Sequence, residues 1–446
     1  MNTNRAASAA SRQDYEVLKC IAKEPGGFVD DQTRRLVWPV LLHAQTSAGQ
    51  SASTEESPDR HPDAHQVQLD VDRSFNQPGW LGQDQSPQDL LNYRSRLTDL
   101  AGHVFTAHPA LRYFQGLHDI LAVVVLVFPE EQQDLARACA TQLCLHHLRD
   151  HQTTTLNPSI GYLRLLLALL RQADPKLSWL VEEESNLPFF ALSWVITWLS
   201  HDIESLSAVK RLFDLLLVMN PAFIVYVAAA LSIMQSRTLN MKTIELGELQ
   251  HFLGQLPRMR LSTRSPASSN SDSDLEIPSD MSTSFATSAS SSSHPSHRNG
   301  SEAPKSESPS TAVDFEELLL RAQELWRRFP PQEIGLLEIF GSNSATRTWA
   351  LANRIVADEE AEQIVREGKD IFKPEKEAQM QRRKPFWRST QTLVLVSAVA
   401  GVLLAIYGPR LLQSRGKVVK PWLHVILDRC RGKVADGRWF LDRIWR

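Results

Sequence analysis

Apolar side chains recur at helical rather than strand spacing over much of this chain. Between Tyr93 and Leu217, Leu163, Leu166, Leu167 and Leu170 share one face, as do Leu192, Val195, Ile196 and Leu199. Steps of three and four residues are the signature of an amphipathic helix. Asp174-Pro175, Asn186-Leu187-Pro188 and Asn220-Pro221 punctuate these runs, because proline disfavours a helical residue before it. Upstream, Arg34–Leu42 reads as a short amphipathic helix, and residues 47–64, built of Ser, Glu, Asp, His and Pro, read as a loop. The best strand signal, Val67-Gln68-Leu69-Asp70-Val71, alternates but finds no partner. The pattern therefore predicts an all-α domain.

Beyond residue 261 the pattern changes. Residues 262–312 are dominated by Ser with Thr, Pro, Asn and Asp, and carry almost no aliphatic side chains. Such a stretch cannot offset its ordering entropy by burial, so it is expected to be a disordered insertion. Helical spacing resumes at Asp314–Leu320 and runs through Trp326 to Phe329-Pro330-Pro331, followed by a charged helix or linker rich in Glu, Lys and Arg. Thr392–Gly408 holds seventeen uncharged residues. Extended to Leu412, it approaches the ~20 residues that a helix needs to cross a bilayer. Arg382, Arg383, Lys384 and Arg388 precede it, and Arg410, Arg415 and Lys417 come after it. The rival run Leu212–Met234 is split by Asp214, Asn220 and Pro221 and reads as core. Residues 409–446 carry ten Lys and Arg against three Asp, with Trp422, Trp439, Phe440 and Trp445 among them. Beside a membrane span that mixture suits the headgroup layer better than a nucleic acid.

Composition changes this picture little. A net charge of −3 gives no reason to expect a nucleic-acid partner. The four cysteines, Cys20, Cys139, Cys144 and Cys430, form no CxxC and no disulfide framework. Met1–Ala10 is polar and small, without the apolar run of a secretory signal. No P-loop, dinucleotide fingerprint or nucleophile elbow is present, so no nucleotide cofactor of its own is expected. His146, His147 and His151 lack the Cys or carboxylate partners of a metal site and read as solvated or capping. Three clusters remain: Arg34–Leu42, Asp70–Arg73 and Tyr113–Asp119. Alone, each has a plain reading. Asp70 and Arg73 at i, i+3 make an exposed ion pair worth under ~1 kcal/mol. Gln115-Gly116 makes a turn or a helix start. Arg34 stacks on the Trp38 indole.

In order along the chain, Arg34-x-x-x-Trp38-x-x-Leu41, Val67-x-x-Asp70-x-x-Arg73 and Tyr113-x-Gln115-Gly116 resemble the three signature motifs of the TBC domain, a family of Rab GTPase-activating proteins. His65-Gln66-Val67, His118-Asp119-Ile120, His146–Asp150 and Phe190–Trp194 further resemble one membrane-anchored subgroup with human and fungal members. Departures from the commoner pattern are Val67 for Ile, Ser74 for Thr, Phe114 for Cys and His118 for Asn. The subgroup shares that histidine.

The resemblance implies an enzyme activator rather than an enzyme. Arg73 would be an arginine finger and Gln115 a glutamine finger, both inserted into a GTP-bound Rab that carries the GTP and Mg2+ itself. An arginine finger supplied in trans is worth about 10³–10⁵ in rate. Asp70, Tyr113, Gly116, His118 and Asp119 would support the pair, and Arg34, Trp38 and Leu41 would be structural. The alternative is a catalytically silent Rab-binding scaffold on a membrane. The domain plan expected is an extension over 1–29, the main TBC region over 30–261, the insertion over 262–312 and a closing TBC helix over 313–335. A charged helical linker over 336–391, the span over 392–412 and a basic tail over 413–446 complete it. The subgroup implies an endoplasmic reticulum or early Golgi membrane, one crossing, and a catalytic domain facing the cytosol.

Overall fold

A computed structural model of the chain describes residues 2–44, 61–77, 80–81, 86–238, 248–257, 259–261 and 313–374. The Ser-rich block 262–312, the expected span 392–412, the tail 413–446 and Cys430 lie outside the described residues, as does most of the loop 47–64. Among the described residues no helix is long and apolar enough to cross a membrane. Met1–Pro374 forms one compact unit.

The unit is helical from its start. Helices α1 (Asn2–Ser11) and α2 (Tyr15–Lys23) bury Ala6, Ala9, Leu18 and Ile21. Residues 1–29 are therefore part of the packed unit rather than an appendage. Helix α3 (Asp31–Leu41) begins where the Asp30 carboxylate accepts from Thr33 N at 2.7 Å, an N-cap that satisfies an otherwise orphaned donor. Helix α4 (Ala64–Val71) occupies the alternating stretch. Its buried positions are Val67, Asp70 and Val71, whereas Leu69 is 45% exposed. Helical spacing thus governs burial here, and the interior position is a carboxylate that has found partners.

Helix α5 (Pro87–Ala107) opens with a capping box between Ser86 and Asp89. Next along the chain are α6 (Leu117–Val127), α7 (Gln133–His146), α8 (Asn157–Ala173), α9 (Pro175–Glu184) and α10 (Leu192–Ile196). Asn220-Pro221 separates α11 (Leu206–Leu216) from α12 (Phe223–Ser236), which is buried nearly all round and packs on α8. After α13 (Glu248–Gly254), strand β1 (Met259–Arg260) pairs in parallel with β2 (Val313–Asp314), and α14 (Phe315–Arg328) packs on α12. This two-residue pairing is the one sheet among the described residues.

Residues 336–374 correct the expected linker. Helices α15 (Leu336–Ile339), α16 (Ala345–Thr348) and α17 (Asp358–Glu367) belong to the packed unit. The charge of α17 lies on one face only, and Ala361, Ile364 and Val365 are buried on the other. Buried Asp150 accepts from Ser344 Oγ at 2.6 Å and from Ala345 N at 2.8 Å, fastening α16 to the region after α7.

The histidines also differ from expectation. His147 and His151 are buried, and burial pushes each down to about 3. Trp349 Nε1 donates to His147 Nε2 at 3.0 Å, His151 Nδ1 lies 2.8 Å from Ser159 Oγ, and His146 lies 2.8 Å from Asp358. Among the described residues, no group of three or more His, Cys, Asp or Glu is arranged to hold a metal ion. Cys139 and Cys144 are buried and Cys20 is exposed.

One carboxylate ties the early helices to the later ones. Asp214 on α11 is fully buried. It accepts from Arg34 Nε at 3.0 Å and Arg34 Nη2 at 2.9 Å, from Trp38 Nε1 at 2.9 Å, and from the Phe28 amide at 3.2 Å. Burial opposes the Arg34 charge, but Asp214 more than offsets it and holds the guanidinium above its usual value. Arg211, nearly a turn earlier, donates to Glu316 of α14 at 2.8 Å and to the Ala22 carbonyl at 2.9 Å. Removing one partner of a buried pair costs about 3–5 kcal/mol, because it strands the other. Asp214→Asn in the full chain is expected to lose about that much in urea unfolding. Asp134→Asn, whose side chain is 84% exposed, should change it by under ~0.5 kcal/mol. Equal effects would show that Asp214 carries no special share of the stability.

Candidate functional site

Arg73 lies just past the carboxyl end of α4, where the chain leaves the helix in a tight turn. Arg73 N donates to the Asp70 carbonyl at 3.2 Å, and Ser74 Oγ donates to the same oxygen at 3.0 Å. Phe75 is left-handed at φ 64° and buried against Tyr93. Such a conformation costs of order 1–3 kcal/mol in a bulky residue and persists only where the surroundings enforce it. Arg94 of α5 donates to the Ser74 carbonyl at 3.3 Å and to Asn76 Oδ1 at 3.1 Å. The Arg73 guanidinium pairs with Asp70 Oδ1, its side chain 31% exposed and that of Asp70 fully buried. The pair is therefore no surface ion pair, as its spacing alone suggested. The carboxylate is interior and the guanidinium reaches the surface.

Gln115 lies on the turn that leads into α6 and is exposed. Gly116 caps that helix at φ 110°, and a Cβ there would stand 2.5 Å from Thr197 Cγ2. Both the left-handed backbone and the close approach require glycine. Three hydrogen bonds lock this turn to the two ends of α4. At the amino end of α4, Asp63 accepts from the Tyr113 amide at 2.9 Å and from Arg112 at 3.0 Å. At its carboxyl end, the Tyr113 hydroxyl donates to Asp70 Oδ2 at 2.7 Å.

The network continues inward and out again. Tyr113 Oη lies 2.8 Å from His118 Nδ1, His118 Nε2 lies 3.3 Å from Asp119 Oδ1, and Asp119 Oδ2 lies 2.9 Å from His201 Nδ1. Burial pushes the Tyr113 hydroxyl up, and the Asp70 charge adds to this. Burial pushes His118 down, while Asp119 and Asp70 pull the other way without prevailing. His201, whose side chain is 59% exposed, is pushed up to about 9, chiefly by its hydrogen bond to Asp119. The Arg73 charge acts against protonation of both histidines.

Asp70, Arg73, Tyr113, His118 and Asp119 thus form one connected cluster, with Gln115 and Gly116 on the same turn. Arg34, Trp38 and Leu41 are not in it: the first two serve Asp214, and Leu41 is core. Sequence reasoning missed His201, Asp63 and Thr197. For Asp63 the signal was available, since it stands at the start of an amphipathic run. For His201 and Thr197 there was none, because their partners lie some 80 positions away.

Residues 31–239 match the family model described as the Rab-GTPase-TBC domain. The chain is 35% identical over 241 residues to the GTPase-activating protein gyp10 of Schizosaccharomyces pombe, covering 53% of this chain and 61% of that one. TBC1 domain family member 20 of Mus musculus is 32% identical over 247 residues, 55% of this chain and 60% of that one. The Homo sapiens protein of the same name is 30% identical over 246 residues, 55% and 59% respectively. The chain matches about three fifths of the length of these relatives.

The His201–Asp119 pair has a pH signature. The unfolded histidine titrates near 6.5 and the folded one near about 9, so the folded state holds more protons between those values. The stabilisation is full below about 6.5 and is lost as pH rises towards about 9. The thermal midpoint of the wild-type chain should therefore fall more steeply over that window than that of His201→Gln. Parallel curves would mean that Asp119 does not hold a proton on His201.

Proposed function

We propose that this chain is a GTPase-activating protein for a Rab-family small GTPase, with Arg73 and Gln115 as the residues it lends, since residues 31–239 match the family model described as the Rab-GTPase-TBC domain. The observation that carries the reading is the lock between the Arg73 turn and the Gln115 turn through Asp70 and Tyr113. Two residues whose roles depend on each other come from segments held in one geometry.

The chemistry wants such a pair. Hydrolysis of GTP builds charge on the phosphoryl oxygens, and a planar guanidinium donates to several of them at once. A carboxamide accepts from the attacking water and donates to the γ-phosphate, which fixes the direction of attack. On docking, the Arg73 guanidinium exchanges the Asp70 carboxylate for phosphate oxygens, and Tyr113 remains to satisfy Asp70. The chain needs no cofactor of its own in this scheme, since GTP and Mg2+ arrive with the partner. Residues 392–412 serve as a single span in an endoplasmic reticulum or early Golgi membrane. Residues 1–388 then face the cytosol, where the GTPase and its nucleotide are.

Single-turnover GTP hydrolysis across a Rab panel tests the catalytic part. Arg73→Ala should lower the stimulated rate by about 10³-fold or more. Arg73→Lys should recover little of it, since a point charge does not bridge several oxygens. Gln115→Ala should cost about 10²-fold with an unchanged thermal midpoint. Wild-type stimulation by Arg73→Ala would sink the assignment, and binding without stimulation by the wild-type chain would leave a scaffold. For the span, an acceptor site for glycosylation appended after Arg446 should be modified in microsomes. A tail left unmodified and removed by protease from sealed vesicles would rule out one crossing.

A further inference from the structure

His201 joins the site from the rim, outside every motif. His201 lies on the segment between α10 and α11, which touches both functional turns. Gln77 Nε2 donates to the Ser200 carbonyl at 3.4 Å and the His201 carbonyl at 3.2 Å, and Trp80 Nε1 donates to the Ile203 carbonyl at 3.2 Å. These hold the segment to the stretch of chain after Arg73. Thr197 packs on Gly116, beside Gln115. Trp198 and Leu199 are left-handed at φ 53° and 60°, and both are buried. The strain of two successive bulky residues in that region marks a backbone held by its surroundings.

Between Asp70 and His201 lie four close contacts: Asp70 to Tyr113, Tyr113 to His118, His118 to Asp119, and Asp119 to His201. Each needs one proton. Tyr113 has one, and Asp70 as a carboxylate can only accept, so the hydroxyl points at Asp70. His118 must then donate from Nδ1 to the Tyr113 oxygen. Burial keeps His118 neutral, which leaves a bare Nε2 facing Asp119 at 3.3 Å, the longest gap of the four. A carboxylate in that place pulls the ring proton towards Nε2. If it succeeded, Tyr113 would turn its proton to Nδ1, and its lone pairs would face Asp70 at 2.7 Å. His201 opposes this by donating to the other oxygen of Asp119 at 2.9 Å, which draws that carboxylate away from the His118 ring proton.

We propose that His201 is a positioning residue that fixes the tautomer of His118, aims the Tyr113 hydroxyl at Asp70, and thereby sets how Asp70 holds Arg73. This rests on the reading that Arg73 acts on GTP in a docked partner. His201 itself need touch neither nucleotide nor partner.

The test uses the full chain and the Rab of the panel that it stimulates most. His201→Ala should lower the maximal single-turnover rate about tenfold, while the concentration for half-maximal stimulation changes less than twofold. His201→Asn keeps a donor close to the position of Nδ1 and should restore at least a third of the wild-type rate. Both sites act through one hydroxyl, so Tyr113→Phe/His201→Ala should be no slower than Tyr113→Phe alone. A purely structural role would add to the loss in Tyr113→Phe. A docking role would raise the half-maximal concentration instead. Either result overturns the inference, as does wild-type behaviour of His201→Ala or failure of His201→Asn to recover. Absence of stimulation by the wild-type chain, or its persistence in Arg73→Ala, defeats the underlying reading and this inference with it.

Discussion

The Asp214 carboxylate is the constraint on which the rest of the architecture hangs. A fully buried charge is tolerable only if its lone pairs are met by donors in good geometry. Asp214 draws them from three places: the guanidinium and indole of α3 and the amide of Phe28 before it. Arg211 on the same helix reaches α14 and the end of α2. A single helix thus spaces the amino-terminal helices against the closing one. Gly27 marks how tight the arrangement is, since a Cβ there would stand 2.9 Å from Asp214 Oδ2. The segment carrying His201 runs directly into this helix, so the frame and the site share a boundary.

The site obeys the same logic at smaller scale. Its exposed groups are few, and each is held by something buried. Arg73 is gripped by an interior carboxylate, Gln115 rides on a turn anchored by Asp63 and Tyr113, and His201 is held by Asp119. In a low-dielectric setting such chains of hydrogen bonds are stiff when every member is satisfied. Side chains that meet a partner can then be presented without the entropic loss of ordering them at each encounter. The family match over residues 31–239 covers both turns and the His201 segment, but not α14 to α17, which complete the packed unit.

Several departures from the sequence pattern share a cause. The stretch Val67–Val71 alternates in hydropathy because Asp70 is inside and Leu69 outside, an inversion that only long-range partners make affordable. Residues 336–374 resemble a charged linker because charge is counted along the chain, whereas α17 distributes it around an axis. His147 suggests a solvated side chain because its partner, Trp349, lies far away in sequence and reaches it only through tertiary packing. The partner of His151, Ser159, is close in sequence, but the helical spacing does not reveal that the ring is buried against it.

The amino-acid sequence by itself determined the helical class, the Pro breaks at 174–175 and 220–221, the core face of α8 and the helix entry at Gln115-Gly116. These are local properties: period, proline geometry and motif spacing all act within a dozen residues. Only the tertiary structure decided that Asp70 is buried, that Tyr113 joins it, that Asp214 receives Arg34 from 180 positions away, and that His201 belongs to the site. Each of those depends on desolvating a charged or polar group. The cost of doing so is set by which donors the folded chain happens to bring within hydrogen-bonding reach, and no local pattern encodes that.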